Sequence, residues 1–201
     1  MYLLALMFGI LLLPEASTLR CYECTPDDSG TCTPTPKECP GQCAAKRDVT
    51  YSGGSRVEII SQKCLKAEEC VDHSINYGLS QTKVTTKCCN TSDLCNTQTV
   101  PELQSKPNGR LCYYCDDHSC TNTLMCEGIE QYCVSLTETR GGQQVTKKGC
   151  ASNYICTAKD KFANITTSCC QGNLCNGAIS SRIAGLVLLA PPLLSLLGTS
   201  Y

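Results

Sequence analysis

Apolar residues are massed at the two ends of the chain and thinly spread between them. Residues 3–13 form an uncharged apolar run closed by Pro14, with small residues at Ala16, Ser17 and Thr18. That length and texture predict a secretory signal over residues 1–18, too short to span a bilayer as a lasting helix. At the other end the stretch Ile183–Leu197 is apolar but broken by Pro191-Pro192, with no basic residue beyond it. Small residues at Asn176, Gly177 and Ala178 precede it, the arrangement of a glycolipid-attachment signal. Attachment at Asn176 and removal of residues 177–201 are expected, although the four-residue spacer after Ala178 is shorter than usual. Between the ends, β-favouring residues flank Gly53-Gly54 within 43–64 and Gly141-Gly142 within 133–150. Gly-Gly supplies the positive φ of a tight turn, so two hairpins are predicted there. Residues 71–87, with a tip at Asn76-Tyr77-Gly78, and 157–168 are read as further β-loops.

Composition sharpens this picture. Of 201 residues 20 are cysteine, Trp is absent and Phe occurs twice, and only eight leucines lie between residues 20 and 183. So few large apolar groups cannot outweigh the ordering entropy of the chain. Cross-links must supply the difference, which places the protein in an oxidising compartment. The net charge of −1 gives no basic face for nucleic acid.

The cysteines fall into two sets of ten in matching order: Cys21, Cys24, Cys32, Cys39, Cys43, Cys64, Cys70, Cys88, Cys89 and Cys95, then Cys112, Cys115, Cys120, Cys126, Cys133, Cys150, Cys156, Cys169, Cys170 and Cys175. Each opens on CxxC (LRCYEC, LCYYC) and closes on adjacent cysteines and Cys-Asn (CCNTSDLCN, CCQGNLCN). An internal duplication follows, with domains at 19–96 and 111–176. Residues 97–110 carry Pro101, Pro107 and Asn108-Gly109 and read as an extended, solvated linker. Paired CxxC knuckles, the usual mark of structural zinc, are absent from each set. Spacing alone leaves some hundreds of pairings open.

These openings, closings and the ten-cysteine order resemble the lymphocyte antigen-six/urokinase receptor family of three-finger domains. The resemblance implies a small, disulfide-rich all-β fold, twice in tandem. It also implies the pairs Cys21–Cys43, Cys24–Cys32, Cys39–Cys64, Cys70–Cys88 and Cys89–Cys95, then Cys112–Cys133, Cys115–Cys120, Cys126–Cys150, Cys156–Cys169 and Cys170–Cys175. It gives Asn96 and Asn176 a structural role. Two domains rather than three, and a complete first set of cysteines, depart from the urokinase receptor, so urokinase binding does not carry over.

The chemistry present is that of binding. Only His73 and His118 could serve as bases, and paired cysteines leave no thiolate, so no catalytic residue, metal ligand or cofactor is expected. Asn90 and Asn164 stand in glycosylation sequons. Tyr51, Arg56, Tyr77, Arg140 and Phe162, with Lys147 and Lys148, are the candidate finger contacts, since Tyr and Arg favour interfaces. The expectation is a lipid-anchored outer-surface protein with an extracellular or cell-surface protein ligand. The alternative is a soluble secreted inhibitor, similar to two-domain phospholipase inhibitors of the same family.

Overall fold

The computed structural model describes residues 18–27, 30–158 and 165–177. The signal, the anchor tail, Phe162 and Asn164 lie outside them, as does the Arg140 side chain. In the first half β1 (Leu19–Glu23) pairs with β2 (Thr35–Cys39). Then follow β3 (Gln42–Ser52), β4 (Ser55–Leu65), a 3-10 turn (Ala67–Glu69), β5 (His73–Asn76) and β6 (Ser80–Cys89). The second half repeats the plan with β7 (Pro107–Tyr114), β8 (Asn122–Glu127), β9 (Tyr132–Arg140), β10 (Gln143–Ala151), a short helix α1 (Asn153–Thr157) and β11 (Ile165–Cys170). Both Gly-Gly pairs form the hairpin turns, with φ of +57° and +79° at Gly53 and Gly54 and +54° and +82° at Gly141 and Gly142. The stretch 157–168 differs from expectation: α1 leads into it, and only Ile165 onward is strand among its described residues.

Sulfur fills the space an aliphatic core would occupy. Cys21, Cys39 and Cys43 form one buried cluster, and Cys112, Cys126, Cys133 and Cys150 another. In each half the bridges join first to fifth, second to third, fourth to sixth, seventh to eighth and ninth to tenth cysteine. Cys112, Cys126 and Cys150 bring three sulfurs together, but all three are held in bridges.

The halves share one sheet. Seven strands run in the order β11-β9-β10-β5-β6-β3-β4, crossing between halves where β10 meets β5. There Cys150 faces Asn76 and Ala151 faces Ile75. Gly149 permits the approach, because a Cβ at that position would lie 1.9 Å from the Asn76 carbonyl oxygen. Behind the seam Val134, Ala151 and Cys156 pack with Ile75 and Tyr77 from the first half.

Candidate functional site

The closing motif explains how each half holds its fingers at fixed angles. Asn96 is fully buried; its Oδ1 accepts from the Tyr22 amide at 3.1 Å, and its Nδ2 donates to the carbonyls of Tyr22 and Ala44. Asn176 does the same with the Tyr113 amide (2.9 Å) and the Tyr113 and Val134 carbonyls. One side chain thus ties the first strand to the central finger, satisfying backbone groups that burial would otherwise strand. Two residues earlier, Leu94 and Leu174 both adopt φ of +57°. That unusual conformation lets their amides reach the carbonyls of Arg20 and Leu111, each at 2.7 Å.

The segment 97–106 is mostly exposed, yet it is pinned to the first half at Val100 and Glu102. Val100 is 5% exposed, and its carbonyl accepts from Arg47 Nη1 at 3.1 Å. Composition marks this segment correctly as irregular; a chain can be irregular and still pack. Glu102 accepts from the Tyr51 hydroxyl at 2.6 Å and from Arg56 Nη2 at 2.8 Å. Arg56 also meets Glu58 at 2.6 Å, and Glu58 meets Arg47 at 2.9 Å. The Tyr51 hydroxyl and then the Arg56 guanidinium hold the Glu102 carboxyl below the usual carboxylate range. Further along, Lys83, 3% exposed, bonds Ser105 and meets Glu127 at 2.9 Å. Glu130 is fully buried and accepts from Ser74 Oγ (2.5 Å), Gln81 Nε2 (2.9 Å) and the Glu127 amide (3.0 Å). A carboxylate so enclosed is tolerable only because several donors surround it. These side chains fix one half against the other.

The predicted finger contacts therefore divide. Tyr51 and Arg56 stand together on the central finger of the first half, but Glu102 already engages both. Tyr77 packs in the seam: burial pushes its phenol up to about 12, and Lys147 Nζ lies 5.6 Å from its ring centroid. It faces the other half rather than solvent. Lys148 Nζ donates to the Gly177 carbonyl at 2.5 Å. His118 sits in an exposed turn, where the Asp116 carboxylate accepts from the His118 and Ser119 amides and is held low by them.

Sequence reasoning missed the outer edge of β4. Residues 55–60 are all exposed, with Val57 at 56%, Ile59 at 41% and Ile60 at 58%. Cross-strand pairing with Thr50 and Asp48 puts Val57 and Ile59 on the face away from Tyr51 and Arg56. Gln62 exchanges two backbone bonds with Cys24 across this edge, at 2.8 and 2.9 Å. By the period of two, the peptide groups of Ile60, Glu58 and Arg56 point outward along the same line. A cleft of about 540 Å³ separates the edge from Pro26, Asp27 and Gly30. The signal was present in the apolar VEII, yet a strand reads alike at an edge or inside a sheet.

Two stapled β-domains, each with three loops rising from a cysteine base, define a three-finger protein. The chain belongs to the u-PAR/Ly-6 family. The u-PAR/Ly-6 domain profile matches residues 17–98, and the snake toxin and toxin-like profile matches 111–176. Over 130 residues it is 35% identical to the urokinase plasminogen activator surface receptor of Rattus norvegicus, covering 55% of this chain and 39% of the relative. It thus spans about two fifths of that receptor's length. Over 93 residues it is 37% identical to Ly-6/neurotoxin-like protein 1 of Saimiri boliviensis boliviensis, covering 43% of this chain and 76% of the relative. The crystal structure of mouse TEX101 aligns at 19% identity and a TM-score of 0.27, over 78% of this chain and 98% of that one.

Proposed function

We propose that the protein is a glycolipid-anchored, non-enzymatic cell-surface protein that binds an extracellular protein ligand through the fingers of its first domain. The observation that carries the binding surface is the open edge of β4, where Val57, Ile59 and Ile60 are exposed beside a cleft. An unpaired ladder flanked by apolar side chains accepts an added strand, with main-chain bonds for affinity and side chains for choice of partner. Membership of a family that includes a surface receptor supports the same reading.

Attachment through the main-chain carbonyl of Asn176 leaves its side-chain amide in place between Tyr113 and Val134, so the scaffold and the anchor make no conflicting demand on that residue. It removes Gly177, and with it the bond from Lys148. Asn90, exposed in its turn, and Asn164 carry the glycans in this reading. Phosphatidylinositol-specific phospholipase applied to expressing cells tests the anchor. Release of the protein, with a C-terminal peptide ending at Asn176 and bearing ethanolamine, is expected. Retention on the treated cells would overturn the anchor, and appearance in the medium before treatment would favour a soluble inhibitor. Val57→Asp with Ile59→Asp is expected to abolish ligand capture by the released protein without altering its surface level.

A further inference from the structure

At the base of the seam between the halves lies a second concavity, a groove of about 650 Å³ to which both halves contribute. The first half supplies Glu68, Val71, Asp72 and Thr86; the second supplies Ile129 and Tyr154. Val71 and Ile129 are 39% and 37% exposed, so the groove has apolar walls open to solvent. The Tyr154 ring is held by the His73 ring, their centroids 4.8 Å apart.

The charged groups here are acceptors, and the neutral amides of Gln131 and Asn153 beside them donate as well as accept. Glu68 and Asp72 are the charged residues lining the groove, both acidic. Asp72 Oδ1 takes the Thr86 amide at 2.8 Å, which orients the carboxylate. Thr86 itself is only 9% exposed, and its hydroxyl is shut off from the groove surface.

We infer that this groove is a docking pocket for an arginine side chain, presented beside an apolar residue on a loop of the protein ligand. The inference rests on the ligand-binding role proposed above and adds a second contact, remote from β4. Arginine suits the groove on three counts. Its guanidinium has donors only, matching the carboxylates of Asp72 and Glu68, and it can serve two acceptors at once. Its planar head stacks on an aromatic face such as Tyr154. Its methylene stem packs against Val71 and Ile129, which leaves the neighbouring apolar residue to cover the rim. The pocket also exists only while the seam is closed, so binding there would read the relative placement of the two halves.

The test displays the full chain on cells and pans it with a phage library of disulfide-closed random heptapeptides, using cells without the chain for subtraction. Enriched peptides are expected to carry Arg next to an apolar residue. Their binding is expected to fall about tenfold or more on Glu68→Lys, a change of about 1.4 kcal/mol, and on Ile129→Asp. It is also expected to fall when Arg is replaced by its neutral isostere citrulline. Exchanging the peptide Arg for Glu should restore binding to the Glu68→Lys chain, an outcome that loss of folding cannot imitate. Peptides that bind but lose affinity only on Val57→Asp and Ile59→Asp would overturn the arginine pocket and leave the ligand-binding role standing. No enrichment over the subtracting cells would overturn that role, and the pocket with it.

Discussion

The two central fingers are copies of one hairpin, yet they meet different fates. In the first half β3–β4 ends the sheet: its outer strand is exposed along residues 55–60, and Lys63 stands directly before the cysteine at its base. In the second half β9–β10 lies within the sheet, flanked by β11 and by β5, and the residue before the corresponding cysteine is Gly149. Lys63 is half-buried but meets no strand of the other half, so a side chain is accommodated there. It is excluded where the Asn76 carbonyl would sit 1.9 Å from its Cβ. The charged residues differ likewise. Arg47, Arg56 and Glu58 grip the passing segment through Glu102, whereas at the equivalent hairpin Thr137 and Thr146 bond each other at 3.2 Å. The duplicated part of the sequence encodes the stapled base, and what packs against each finger decides its role.

The largest effect should come from the base bridges. Replacing both members of Cys39–Cys64 or of Cys126–Cys150 by serine is expected to cost about 2–5 kcal/mol, enough to keep such small domains from folding at body temperature. The consequences should differ in reach. Cys150 also pairs with Asn76 across the seam, so loss of Cys126–Cys150 should lower hydrogen-exchange protection in β5 of the other half, while loss of Cys39–Cys64 should leave β9–β10 protected. Cys24–Cys32 spans 8 residues against 25 for Cys39–Cys64; on loop entropy its loss should cost about 1 kcal/mol less. Surface level and exchange mass spectrometry read both comparisons.

Next comes the seam. Gly149→Val forces β10 away from β5 at a cost of about 1–3 kcal/mol. Amide protection should fall at Ile75, Asn76, Cys150 and Ala151, with the ten bridges intact. Lys63→Val, the matched change in the hairpin that ends the sheet, should alter none of this. Equal loss in both variants would show that the glycine answers to something other than the neighbouring half.

The asparagines probe what the copies share. Asn96→Ala and Asn176→Ala each strand buried amide and carbonyl groups and should destabilise their own half by about 1–3 kcal/mol. The two losses should be similar, which denaturant titration of each variant would measure. These residues were visible in sequence because they follow the last cysteine of each set, and the hairpins were visible because Gly-Gly marks a turn by local stereochemistry. Glu130 was not. It sits in an ordinary polar stretch, and its partners Ser74 and Gln81 lie 56 and 49 positions away. Tyr77 was misplaced for the same reason: a tyrosine at a loop tip reads as exposed until another domain packs on it. Residues 97–106 look solvated by composition because proline and polar residues mark irregular backbone, which says nothing about what that backbone touches.

The smallest effect is expected where the first finger grips the segment between the halves. Glu102 has a side chain 25% exposed, so its ion pairs are partly screened, and Glu102→Gln should cost less than about 1 kcal/mol near neutral pH. The pH dependence identifies the cause. A carboxyl held low in the folded protein contributes stability that is fully present above the ordinary carboxylate range and is lost as pH falls through its depressed folded-state value. Below that point the wild-type and Glu102→Gln chains should converge, and added salt should narrow the gap at neutral pH. Arg56→Gln should behave in parallel, since removing the guanidinium takes away one of the two donors that hold the carboxyl low. In the hairpin of the second half the Thr137–Thr146 contact joins two uncharged hydroxyls, so substituting either should give a difference that does not vary with acid. If Glu102→Gln proved equally pH-independent, the clasp would be a contact of shape alone, and the contrast between the two fingers would rest on β5 and Gly149.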